Sequence, residues 1–397
     1  MSAPLDGILV LDLSRVLAGP FCTMLLADLG ARVIKVELPG EGDVTRGWGP
    51  PSDPASGLSA YYLAINRNKE SIALDLASAE GRASVQALAR AADVVVENFA
   101  PGALDRFGIS LQALRGENPR LVTASITGFG RRGPDARAPG FDLLAQAGAG
   151  MMAITGAPED RPTKVGVAVS DLFAGCYAAV GILAALWARA RTGRGTHVAT
   201  DLFSATAASL INVAQSVLLT GREAERHGNA HPQIVPYRSF AAADGEFVLA
   251  CGTDRQFARL AELVGKTAWR EDPRFATNAA RVVHRAELEP ELETLFRGEP
   301  RSEWLSRLAG AGIPAGPVRG PLEALTSETA RALELVRECR GVRFLAPPIR
   351  VEGHEPELRF PPALDQDGEK LRREFGLPGT AKDRETGNGK RETRKPS

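Results

Sequence analysis

The stretch "ILVLDLSRVLAGPFCTMLLADLGARVIKVE" (Ile8–Glu37) reads as strand, helix, strand. Ile8–Leu13 is an apolar run of the kind a strand shows when both of its faces are covered. Pro20 suits the first turn of a helix, and Gly30 suits its end. Arg32–Glu37 is the next strand. The alternation continues outward. Ser71–Leu76 and Asp93–Phe99 read as strands around a helix from about Ser78 to Ala92. Leu121–Gly130 is a further strand, followed by a loop and a helix near Asp142–Met151. "VGVAVS" reads as a strand leading into Asp171. "HVATDLF" leads into an Ala/Ser-rich helix that ends near Gly221. Strands that alternate with helices predict an α/β fold, a parallel sheet with helices on both faces.

From about Arg222 the texture changes. "HGNAHPQIVPYRSF" is irregular, "EFVLACG" is a strand and "DRQFARLAELVG" an amphipathic helix, which places a smaller α/β domain at 222–320. "GVRFLAPPIRVEG" reads as an antiparallel pair in a segment, 321–377, that returns to the first domain, residues 1–221. The tail 378–397 has almost no apolar residues, so disorder is expected there. No internal repeat is found.

Composition removes several function classes. The chain has 397 residues, 44% of them hydrophobic, enough for a large core. Lys+Arg and Asp+Glu both number 48, and zero net charge argues against nucleic acid or a membrane surface as partner. The cysteines Cys22, Cys176, Cys251 and Cys339 are far apart, which fits a reducing cytoplasm and neither a disulfide framework nor a zinc site. The histidines are scattered, so no metal centre is expected. Asp6 and Asp12 interrupt any signal-peptide core. The uncharged run Leu172–Ala188 falls just short of a membrane span and reads as a buried helix.

Asp171 is the polar residue that stands out, between "VGVAVS" and a helix of small residues. An aspartate there serves as a helix N-cap, or as a nucleophile or general base at the carboxyl end of a sheet. Glu37 ends the second strand, where a dinucleotide fold places its ribose-binding acid. The first turn is "DLSRVLAGP", however, without the glycines that let a pyrophosphate approach. Neither a G-x-S-x-G elbow nor a phosphate-binding loop occurs. Dehydrogenase, hydrolase and phosphate-loop readings are all poorly supported.

A set of motifs runs through the chain in order: "GILVLDLSRVLAGPFCTMLLADLGARVIKVELPGEGDVTRGWGPP", "NRNKESIALDL", "ADVVVENFAPGALDRFG", "NPRLVTASITGFGRRGP", "GVAVSDLFAGCYAAVGILAAL" and "RTGRGTHVATDLF". The chain resembles the class III CoA-transferases, of the formyl-CoA:oxalate type, to about Gly376. "AHPQIVPYRSF" and "TDRQFARLAELVG" are closer to the branch that moves CoA from succinyl-CoA to dicarboxylic acids. The resemblance implies a Rossmann-like large domain, a smaller α/β domain, and an open-ring subunit that forms an interlocked homodimer. It implies coenzyme A as a substrate, with no permanently bound cofactor.

Asp171 matches the family's catalytic aspartate. The resemblance implies covalent transfer through an aspartyl anhydride and an aspartyl-CoA thioester. It places Val16 and Leu17 at the adenine, Leu74 and Asp75 along the nucleotide, and Asn98 and Phe99 at the pantetheine. Arg106 matches a phosphate-binding arginine, and Arg137 is a second candidate. Leu38 stands where the formyl branch has arginine, and Ala77 lies near its lysine, which leaves Arg46 or Lys69 to neutralise phosphate. "HGNAHPQIVPY" replaces the formyl branch's glycine-rich loop, and His231 is a candidate for the acceptor pocket. A dicarboxylate needs a partner for its second carboxylate, for which Arg67 is the candidate, with Lys69 beside it. Two alternatives stay open: an acyl-CoA racemase of the same fold, whose histidine is replaced here by Phe141, and a non-catalytic acyl-CoA-binding protein.

Overall fold

The structure, a computed structural model, describes residues 2–378. The disorder expected of the tail falls, beyond Pro378, outside the described residues. The chain forms two compact units. One comprises residues 2–151, 166–215 and 332–378; the other comprises Met152–Val165 and Ser216–Arg331.

In the first unit, β1 (Leu9–Asp12), β2 (Arg32–Glu37), β3 (Lys69–Ala73), β4 (Val94–Glu97), β5 (Val122–Thr127) and β6 (His197–Asp201) make one sheet of order β3-β2-β1-β4-β5-β6. Every pair is parallel. This is the Rossmann strand order, with its switch point between β1 and β4. The helices along the chain to Thr220 are α1 (Ala18–Asp28), α2 (Ala60–Ile65), α3 (Ala79–Ala91), α4 (Ala103–Arg106), α5 (Leu111–Glu117), α6 (Asp142–Gly148), α7 (Met151–Ile154), α8 (Val169–Thr192), α9 (Leu202–Ser209) and α10 (Ile211–Thr220), of which α7 beyond Met151 and the second half of α10 fall in the second unit.

Successive strand residues point to opposite faces, and both faces are covered. Val10, Val33, Val94, Val96 and Ile126 pack with Cys22 of α1, Ala178 of α8 and Ala205 of α9. Leu11, Ile34, Ile72 and Val95 pack on the other face with Leu88 of α3 and Leu114 of α5. This double cover is why the central strands β1 and β4 read as largely apolar runs.

Three expectations change. "VGVAVS" is not a strand: the stretch before Val169 has no regular pairing, and the sheet's sixth strand is β6. Its backbone groups bond α6 instead, the Val167 carbonyl to the Gln146 amide (3.3 Å) and the Ser170 N–H to Asp142 Oδ1 (2.8 Å). β3 starts at Lys69, two residues earlier than its apolar run, because the buried Lys69 and Glu70 find ionic partners in Asp12 and Arg32. The helix after β6 breaks at Ile211, whose φ of 42° is left-handed.

The last segment brings an antiparallel hairpin, β10 (Val336–Cys339) with β11 (Val342–Leu345). "GVRFL" is therefore the hairpin's second strand, paired upstream, and "APPIRVEG" adds only the bridge Val351–His354. After the hairpin, Asp365 and Asp367 accept the N–H groups of Ala73 and Ser71 at 2.7 and 2.9 Å. These carboxylates occupy the free edge of β3 and block further strand pairing.

The second unit has a sheet of order β7-β8-β9, from β7 (Tyr237–Ala242), β8 (Gly245–Ala250) and β9 (Ala315–Pro317), antiparallel throughout. Its helices are α11 (Asp254–Leu263), α12 (Asn278–Val283), α13 (Arg285–Phe296), α14 (Arg301–Gly310), α15 (Pro321–Thr326) and α16 (Glu328–Ala332). Phe240, Phe247, Phe296 and Trp304 form its aromatic core. Helix α17 (Gly368–Phe375) closes the first unit's chain and buries Leu371.

Candidate active site

The loops leaving β1 and β4 meet at the switch point. The Asn98 side chain bonds Arg15 twice, donating to its carbonyl (2.6 Å) and accepting from its N–H (2.9 Å). Beside this junction lies a cavity of about 340 Å³, bounded by the carboxyl ends of β1 to β4 and the loops after them. Leu74, Asp75 and Phe99 line it, as do Leu38, Ala77 and Arg15. In this fold, ligands bind at that position.

Lys35 and Asp43 line the crevice, and a second buried ion pair lies at the ends of β1 and β3. Lys35 pairs with Asp43 at 3.0 Å and Lys69 with Asp12 at 3.1 Å, all four side chains buried. Burial pushes the Asp12 carboxyl up, but Lys69 and Lys35 outweigh it and hold it at about 2. Burial also pulls Lys69 down to about 8. Asp43 accepts from the Val16 N–H (3.2 Å), which fixes Val16 at φ 68°, a costly conformation for a β-branched residue. Leu17 is buried just before α1.

Three of the cations nominated for phosphate or substrate, Arg46, Arg67 and Lys69, have partners inside the fold. Arg46 grips Glu37 through two bonds (2.7 and 2.8 Å). Arg67 is 4% exposed and holds Asp28 through Nε and Nη2 at 3.0 and 2.6 Å. Lys69 is committed to Asp12, Asn66 and the Pro20 carbonyl. Arg106 ends α4 exposed, and Arg137 is exposed in the loop before α6. His231 lies in the second unit, where its Nδ1 accepts from the Gln233 N–H (3.0 Å) and its ring sits 5.3 Å from that of Tyr237.

Asp171 is the third residue of α8. It is therefore not the N-cap, a place taken by Ala168, which offers no side-chain bond. The Ala18 N–H at the start of α1 lies toward the Asp171 carboxylate and favours its ionised form. Burial, with the charge of Asp142 second, pushes its pKa up to about 7, against the pull of the Ala18 N–H. The close approach of α1 depends on Gly175, where a Cβ would lie 2.7 Å from the Ala18 carbonyl oxygen. Such a carboxylate, held at a helix N-terminus with N–H groups nearby, can attack a carbonyl and stabilise the oxyanion that forms.

Sequence reasoning did not single out Tyr61 and Trp48. Their rings meet edge to face at 5.0 Å, and the Tyr61 hydroxyl is pushed up to about 12 by burial and by Asp171 and Asp142. Both occur in a Gly/Pro-rich loop and a short helix without periodic signal. Arg15 was visible in "DLSRVLAGP", but its place at the cavity follows only from the pairing of β1 with β4.

Residues 5–368 match CoA-transferase family III. The succinate–glutarate CoA-transferase of Agrobacterium fabrum is 42% identical over 371 residues, 89% of this chain and 93% of its own. The acetyl-CoA:oxalate CoA-transferase of Acetobacter aceti is 40% identical over 378 residues, 94% of this chain and 96% of its own. A crystal structure of a CAIB/BAIF family protein from Brucella suis superposes with a TM-score of 0.86 at 42% identity, covering 94% of this chain and all of that one. A chain matched over nearly its whole length, with a ligand crevice at the switch point of its sheet, belongs to CoA-transferase family III.

Proposed function

We propose that the protein moves CoA from succinyl-CoA to a dicarboxylic acid, with Asp171 as covalent nucleophile. The observation that carries this reading is the place of the Asp171 carboxylate, in the first turn of α8 where Gly175 lets α1 approach closely, with burial pushing its pKa up to about 7. Relatives named for succinyl-CoA and glutarate support the donor and the acceptor class.

The steps balance as follows. Asp171 attacks the thioester carbonyl, the C–S bond breaks, and CoA thiolate leaves an aspartyl–succinyl anhydride. The thiolate attacks the aspartyl carbonyl and succinate departs, leaving an aspartyl-CoA thioester. The acceptor carboxylate attacks that carbonyl and expels the thiolate. The thiolate then attacks the acceptor's own carbonyl, which releases the new acyl-CoA and regenerates Asp171. One exchange between weak nucleophiles becomes several easier ones.

Val16 and Leu17 border the adenine, Leu74 and Asp75 the nucleotide, and Asn98 and Phe99 the pantetheine. Arg15 joins Arg106 and Arg137 as a cation for the phosphates, and His231 remains the candidate for the acceptor. Arg67 and Lys69 act instead as fixed internal counter-ions. The enzyme works in the cytoplasm as an interlocked homodimer of ring-shaped subunits. The test incubates it with succinyl-CoA or acetyl-CoA and a panel of glutarate, mesaconate, oxalate and monocarboxylates, read by mass spectrometry. New dicarboxyl-CoA from succinyl-CoA, lost in Asp171→Ala, is the expected result. Wild-type transfer by that variant would overturn the reading.

A further inference from the structure

Helix α8 begins without a capping side chain of its own: Ala168 offers none. The missing cap comes from α6. Asp142 Oδ1 accepts the Ser170 N–H at 2.8 Å, and its Oδ2 is held by the Gln146 amide at 2.7 Å. The Ser170 hydroxyl is fixed in turn by the Thr206 hydroxyl of α9, at 2.7 Å. The next residue along α8 is Asp171. A second carboxylate is thus built into the turn that carries the nucleophile, although an amide or a hydroxyl would also cap it.

We propose that Asp142 is a positioning residue for Asp171: it fixes the first turn of α8 through Ser170 and sets a negative charge beside the nucleophile. This rests on the reading of Asp171 as the attacking group. The surroundings isolate the effect. On α1, the Ala18 N–H faces Asp171, and burial keeps the nearby Cys22 thiol neutral. From α2 comes the Tyr61 hydroxyl, also neutral at ordinary pH. β5, β6 and α9 meet α8 with Ile126, Val198, Leu202 and Ala205. Asp142 is the charge that raises Asp171 after burial. A more basic carboxylate is a stronger nucleophile towards the thioester once ionised, because reactivity rises with basicity.

The test compares wild type with Asp142→Asn and Asp142→Glu. Asparagine keeps an oxygen for the Ser170 N–H and removes the charge, whereas glutamate keeps the charge. Three quantities are read: the acid limb of kcat/KM against pH, hydroxylamine trapping at Asp171 after acyl-CoA addition, and CoA affinity. The expected result for Asp142→Asn is an acid limb lower by about one pH unit and a several-fold lower plateau. Trapping at Asp171 and CoA affinity should persist, and Asp142→Glu should keep the wild-type limb. An unmoved limb in Asp142→Asn with trapping intact would overturn the role of Asp142 alone. Failure to trap Asp171 in the wild type would overturn the nucleophile reading, and this proposal with it.

Discussion

At Asp171 two requirements pull in opposite directions. A desolvated carboxylate beside another negative charge is a better nucleophile, but less of it is ionised. With its pKa pushed up to about 7, transfer should depend on ionisation in the neutral range. The kcat/KM of the wild type is expected to fall about tenfold per pH unit below that point and to level off above it. A flat profile between pH 5 and 8 would contradict this. The same shift bears on stability. The folded pKa lies above the unfolded value, so the group's favourable contribution is complete below about 4 and is lost as pH rises through about 7. At pH 8 the ionised side chain therefore opposes folding. Asp171→Asn should be inactive and yet more stable at pH 8, by roughly 1–3 kcal/mol in urea unfolding, with the gain vanishing near pH 4.

Elements meet closely where side chains are small. Ala174, Gly175 and Ala178 give α8 a face that lies directly on α1 and the sheet. Gly175→Ala places a Cβ 2.7 Å from a backbone oxygen and 3.0 Å from the Phe21 ring, so α1 must retreat. The expected cost is ~1–3 kcal/mol, with reduced transfer because the Ala18 N–H retreats from Asp171. Thermal melts and kinetics on one preparation check both effects. The loop between α2 and β3 behaves differently. Arg67→Met would leave Asp28 buried without its cation, a loss of about 3–5 kcal/mol. Its activity should fall alike for dicarboxylates and monocarboxylates, in step with a lower melting temperature. A loss confined to dicarboxylates would restore Arg67 as a substrate contact.

At the scale of the whole molecule, α8 has a second face. Phe173, Tyr177, Val180 and Trp187 recur at helical spacing and are exposed, Trp187 to 70%. The helix expected to be buried is buried along one side only. It is long and apolar enough to cross a membrane, yet its other side packs on α1, α9 and the sheet. An apolar stripe of this kind is costly in water and marks an interaction surface. The proposed homodimer would cover it. Sedimentation should give a dimer that persists at nanomolar concentration, and Val180→Glu with Trp187→Glu should weaken it. A wild-type monomer that is folded and active would contradict the proposal.

The strand runs β1 and β4 were legible in the sequence because both of their faces are largely apolar, a local pattern that survives without its neighbours. The helix start near Ser78 and the left-handed Gly30 are local in the same sense. Asp171 stood out because a lone carboxylate in an apolar stretch is visible by itself. What it does there was not visible, since its surroundings come from Ala18, Tyr61 and Asp142, far off in the chain. The fates of Arg46, Arg67 and Lys69 were hidden for the same reason. A basic residue reads identically whether its partner is water, phosphate or a buried aspartate. Parallel pairing brought Asp12 and Asp28 to Lys69 and Arg67, and so decided that these cations face inward.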